Sequence, residues 1–232
     1  MASRRYFRVS LRALWVLLTL FCLWIGKESI EMRRENKAVS WVIQNGGQVE
    51  YDREPVPTWL QPLVGENFLR HVTKVMIRSR QLPDISPLAA FEALEELRLI
   101  ACDVKEIQPL SGLTKLTYLQ LNKNQIEDVF PLESLRNLEM LNIHHNQVED
   151  ISIVVVLTKL KNLDIGDNRI FILPSLHRLT QLEAIALHNL NIDDLSPLSD
   201  VKSLKVINGI SKEEKDKLRP SLPLLFPDIA RP

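Results

Sequence analysis

The sequence predicts an α/β solenoid: a right-handed superhelix of short repeats with a parallel sheet on its concave side, N- and C-terminal caps, and an N-terminal membrane helix. Three observations predict it. Leucines recur with a period of 22 residues, at Leu94, Leu116, Leu138, Leu160, Leu182 and Leu204. The first five are each followed by two more apolar residues in fixed register, Leu97 and Leu99 in one repeat, Leu119 and Leu121 in the next, and Leu204 by Ile207 alone. Most repeats then close on a proline-leucine pair, at Pro87-Leu88, Pro109-Leu110, Pro131-Leu132 and Pro197-Leu198. One such unit cannot bury its own apolar face, and only stacking gives it a core.

Residues 1–27 read as a signal anchor. Arg4, Arg5, Arg8 and Arg12 precede the apolar run from Ala13 to Gly26. That run suits a signal-peptide core, since a full span needs about 20 residues. Trp24, Lys27 and Glu28 stand where a cleavage site would need small residues, so the uncleaved anchor is preferred. Snorkelling of Arg12 would lengthen the usable stretch back to Val9. The arginine cluster places the N-terminus in the cytoplasm and the repeats outside a cell inner membrane crossed once. Lys27, Arg33, Arg34 and Lys37 beyond the run oppose that orientation, with Glu28, Glu31 and Glu35 beside them. Secretion after cleavage and a cytoplasmic location are the alternatives. Ser3-Arg4-Arg5 resembles a twin-arginine signal, but nothing suggests a cofactor that needs folded export. Phe21 before Cys22 is too bulky for a lipoprotein box.

Residues 28–71 read as a helical stalk and N-terminal cap. Glu28 to Gln44 contains no Pro or Gly, and Asn45-Gly46-Gly47 supplies a left-handed stop. Val49-Glu50-Tyr51 alternates like a strand. Thr58 and Gln61 frame a capping box for a short helix carrying Trp59 and Leu60.

Residues 72–207 are the repeats, each a strand, a tight turn and a short helical return opened by proline. Strand residues between the inward leucines point to the concave side. They supply the candidate partner-binding residues Arg98, Gln120, Asn142 and Asp164, with Tyr118 and Met140 one column before and Arg78, His144 and His188 one column after. Asn124, Asn146 and Asn168 follow the strands, where a buried asparagine serves turn backbone as both donor and acceptor. They read as a structural ladder. Cys102 holds the same position and reads as a small buried substitute. On the convex side, Phe171 and Ile172 replace residues charged in the other repeats, and Ile153 replaces a proline. With Phe130, Val155 and Val156 they define a candidate apolar patch, an interface for a partner or a second copy. Repacking of an irregular repeat would bury them instead.

Residues 208–232 read as the C-terminal cap. Asn208-Gly209 turns the chain, Ser211 and Glu214 form a capping box, and Leu218, Leu222, Leu224, Leu225 and Phe226 can cover the last repeat.

The pattern L-x-x-L-x-L-x-x-N-x-I-x-x-I-x-P-L, nearly complete from Leu116 to Leu132, resembles the leucine-rich repeats of the bacterial internalin and phosphatase-regulatory types. The N-terminal arrangement resembles membrane-anchored leucine-rich repeat proteins of planctomycete bacteria, in its Arg-rich anchor, Gly46 to Asp52, and Pro57 to Leu60. These resemblances imply a solenoid and a membrane location, and no particular ligand.

No nucleotide loop, nucleophile elbow or metal-ligand spacing is present. His144 and His188 lie two repeats apart, about 10 Å at sheet spacing, too far to share a metal at a ~2 Å ligand distance. Asp164 and Asp167 fall in the same region. Lys+Arg and Asp+Glu number 29 each, so no net field favours nucleic acid. The expected function is non-enzymatic: a membrane-tethered scaffold without cofactor or metal that binds a protein or other macromolecule. An intracellular scaffold that binds an enzyme through its concave face is the alternative.

Overall fold

The computed structural model describes residues 11–55, 57–59, 61, 70–223 and 225. Helix α1 runs unbroken over Leu11–Gln44. Its first half exposes apolar side chains at successive positions, with Trp15 at 65% and Leu23 at 70% exposure and Val16, Leu17, Leu18 and Leu20 between them. Among the described residues, no helix is long and apolar enough to cross a membrane. The apolar run of α1 ends at Gly26, and charged residues follow from Lys27. The expected membrane helix is therefore not found at full length there, and Arg4, Arg5 and Arg8 lie outside the described residues.

The second half of α1 packs on the solenoid. Ala38 and Val42 are buried, and Val39 and Trp41 lie against the core. The buried Glu35 carboxylate accepts the Val72 N–H and lies 3.4 Å from His71 Nδ1. Burial holds this carboxyl above the ordinary glutamate range, against the opposing pull of the Val72 hydrogen bond and His71. The helix stops in a Schellman turn. Gly46, at φ +70, donates to Ile43, and Gly47 donates to Val42. A Cβ on Gly47 would come within 2.7 Å of both Ile77 and Val42, so the corner closes only on glycine.

The chain then builds one eight-stranded sheet in sequence order: β1 (Gln48–Tyr51), β2 (Val72–Arg78), β3 (Glu96–Ile100), β4 (Tyr118–Gln120), β5 (Met140–Asn142), β6 (Asn162–Asp164), β7 (Ala184–Ala186) and β8 (Val206–Asn208). From β2 to β8 every pairing is parallel with a one-repeat offset. Strand β1 pairs antiparallel with β2 and covers the edge of the parallel sheet. The short helix expected at Trp59 and Leu60 lies largely outside the described residues, although Gln61 N donates to Pro57 O.

The returns are 3-10 turns, at Ser86–Ala90, Gln108–Leu110, Phe130–Ser134, Ser152–Val156 and Ser196–Asp200. A return of this length holds a single tight turn, too short for an α-helix to propagate. Four of them are capped the same way. Asp84, Asp128, Asp150 and Asp194 each accept a backbone N–H from the residue two positions on. The exits of β2 to β7 also hold residues in the left-handed region one period apart, Ser79, Ala101, Lys123, His145, Asp167 and Asn189, with Asp103 beside Ala101. The core is a single apolar column from Ala38 to Leu222. At its far end helix α2 (Lys212–Leu218) starts on a complete Ser211–Glu214 capping box. Leu218 and Leu222 are buried there and Leu225 packs beside them, while Leu224 and Phe226 lie outside the described residues.

Candidate functional site

The concave sheet aligns its outward side chains in columns. One column runs Met76, Arg98, Gln120, Asn142, Asp164, Ala186, and its neighbour runs Lys74, Glu96, Tyr118, Met140, Asn162, Ala184. Parallel pairing brings these residues together because each repeat enters its strand in the same phase. Arg78 continues the exposed end of β2 beside Ile100. His188 is exposed beyond β7.

Three parts of this face differ in chemistry. At the N-terminal end, charges are matched locally. Lys74 Nζ lies 2.7 Å from Glu50, Arg98 pairs with Glu96, and the Arg98 guanidinium lies 4.7 Å above the Tyr118 ring centroid. Next, Tyr118, Gln120 and Met140 form a half-buried, uncharged centre. Beyond it lies a polar network. Asn142 Nδ2 donates to Asp164, and Asn142 Oδ1 accepts the His144 N–H. The His144 ring sits between two carboxylates, with Nε2 3.1 Å from Asp167 and Nδ1 3.8 Å from Asp164. Asn189 Nδ2 closes the set by donating to Asp167 at 2.6 Å. Gly166 makes room for the ring, since a Cβ there would lie 3.0 Å from His144 Nδ1. The sequence placed Asp164 and Asp167 in this region. It did not reveal that they flank His144, or that Asn189 joins them, because a left-handed turn residue carries no one-residue signature. Among the described residues, no group of three His, Cys, Asp or Glu could hold a metal ion.

The asparagines of the turns serve backbone only. Asn124 Oδ1 accepts from Cys102 and Val104, and its Nδ2 donates to Leu99 and Leu121. Asn146 and Asn168 repeat the pattern one and two repeats on. Cys102 substitutes by donating its thiol to the Ile77 and Ile100 carbonyls, and burial raises its pKa.

The convex patch divides. Phe130, Phe171 and Ile172 are exposed, at 63%, 56% and 79%. Ile153 is buried, and Val155 and Val156 are half-buried, Val156 against the core. Ile153 leaves the expected patch because its position in the 3-10 turn, half-buried where proline fills it in other repeats, turns inward. Ile172 stands at the aspartate cap position, but the residue two positions on is Pro174, which has no N–H to cap. An aspartate there would have no structural task.

Residues 114–156 match the leucine-rich repeat family, in two copies. Over 64% of this chain, the structure is similar to internalin C2 from Listeria monocytogenes, with 32% identity and a TM-score of 0.57. It is similar over 58% of its length to an internalin, inlF, from the same organism, at 26% identity and a TM-score of 0.50. It shares its fold over 59% of its length with the functional domain of InlJ of Listeria monocytogenes, at 20% identity and a TM-score of 0.51. The matched region covers 65%, 46% and 29% of those chains. No curated protein matches the chain.

Proposed function

We propose that this leucine-rich repeat protein is a non-enzymatic scaffold that binds a protein partner on its concave sheet and is tethered to a membrane by the start of α1. The leucine-rich repeat fold is that of a protein-interaction scaffold, and the observation that carries the reading is the aligned concave face. Its centre offers Tyr118 and Met140, an aromatic and an adaptable side chain of the kind that anchors interfaces. Local pairing of Arg98 and Lys74 with carboxylates, and the close approach of His144 to Asp167, leave that centre as the part with polar and apolar surface to give. The tether is supported by the exposed apolar residues from Trp15 to Leu23, which occupy every side of the helix and suit a lipid environment better than water. The repeats would then face the extracytoplasmic side, and the anchor would concentrate them at the surface.

A photo-crosslinking residue placed at Met140 tests the function, with the same residue at the exposed Lys115, outside the concave columns, as control. Adducts from Met140 and none from Lys115 are expected, and equal labelling from both would refute concave binding. Protease treatment of intact spheroplasts tests the orientation. Loss of a C-terminal tag is expected; a tag protected until lysis would favour the intracellular scaffold.

A further inference from the structure

We propose that the turn edge of the solenoid, from Glu127 to Asp194, is a second docking surface, and that it takes a cationic amphipathic helix of a partner protein. The surface is distinct from the concave face and does not depend on it. In the repeats, the large apolar side chains are almost all buried, yet Phe130, Phe171 and Ile172 stand well exposed on this one edge. Phe171 and Ile172 interrupt two acidic columns. Glu127-Asp128 and Glu149-Asp150 precede them by two repeats and one, and Asp193-Asp194 follow them by one. Phe130 and Ile153 line a groove between the first two acidic pairs.

The carboxylates outnumber the cations on this edge. Among the described residues Glu127, Glu149 and Asp193 make no ion pair. Arg169 is the one basic residue lining the groove, against four carboxylates there, and it hydrogen-bonds the neutral Gln147. In the concave columns, by contrast, Lys74 and Arg98 each have a carboxylate partner. Three acidic pairs therefore stand on the edge that also exposes the apolar pair. Nucleic acid and anionic lipid are repelled there; a cationic segment with apolar residues is complementary in both respects.

The spacing selects a helix. Successive repeats lie about 4.8 Å apart at the sheet and farther apart on the convex side of a curved solenoid. A helical turn advances about 5.4 Å. A helix laid along the edge thus offers one side chain to each repeat: cations to Glu127 and Glu149, apolar residues to Phe171 and Ile172, and a cation to Asp193.

The test uses the full chain in detergent and a fluorescein-labelled synthetic helix. The helix carries lysines one turn apart, with a leucine pair in the third turn. Control helices replace the leucines by serines or the lysines by glutamates. The lysine-leucine helix should bind about tenfold or more tighter than either control. The double substitution Phe171→Ser with Ile172→Ser should remove that advantage, as judged on protein with unchanged circular dichroism. Glu127→Gln with Glu149→Gln should weaken binding and flatten its salt dependence, while Tyr118→Ala leaves it unchanged. Equal binding of the serine helix, or full binding by the folded double variant, would overturn the proposal.

Discussion

At the residue scale, the turn asparagines explain how so short a repeat tolerates buried backbone. Asn146 Nδ2 donates to the carbonyls of Leu121 and Ile143, and its Oδ1 accepts from Ile126, so one side chain ties adjacent repeats together. Asn146→Asp removes the donors and sets a carboxylate against those carbonyls. The expected cost is at least about 3 kcal/mol, from unsatisfied buried groups and an uncompensated charge. It should shrink as pH falls, because the protonated carboxyl regains one donor. Urea denaturation at neutral and acid pH measures both effects. The same reasoning accounts for Ile172, where an aspartate is dispensable once Pro174 removes the N–H it would cap.

At the element scale, the docking of α1 depends on a carboxylate out of water. Burial raises the pKa of Glu35 in the folded protein above the ordinary 4.5. The folded state then holds this proton more firmly than the unfolded chain does. The associated stability is full below the ordinary value and is lost as pH rises through the folded one. Glu35→Gln keeps an oxygen to accept the Val72 N–H and removes the charge. The variant should match the wild type in urea at acid pH, exceed it at neutral pH, and show a flatter dependence between. A wild type whose stability increases through this window by virtue of Glu35 would contradict the account. The 3-10 returns belong to this scale too. Proline at Pro87, Pro109, Pro131 and Pro197 announced a helical turn, but not its type, which the length of the return decides.

At the scale of the whole molecule, each strand from β3 to β7 pairs only with the strands on either side, as the fixed order of the sheet requires. Stability is then a sum of repeat and neighbour-interface contributions. Excising residues 138–159, one complete repeat, joins Asn137 to Leu160 in the same phase. The shortened chain should fold, with a urea m-value lowered in proportion to the surface lost. Removing two residues fewer puts every later leucine out of phase and should leave the C-terminal part unfolded. Circular dichroism and urea titration of both variants distinguish these outcomes. A solenoid presents side chains from several repeats along more than one surface, so the two proposed sites, the sheet and the turn edge, draw on different residues.

The sequence by itself determined the solenoid, its phase, the columns of the concave face, the asparagine ladder and the glycine and Ser211–Glu214 helix ends. All of these follow from periodicity or from local backbone chemistry, and both are written along the chain. Tertiary structure alone decided the rest. It set His144 between Asp164 and Asp167, paired Lys74 and Arg98 with carboxylates, buried Glu35 of α1 against the solenoid, and buried Ile153 while leaving Phe130, Phe171 and Ile172 exposed. Those outcomes depend on rotamers and packing between residues one or more repeats apart, where a shared column brings side chains near without fixing which way they turn.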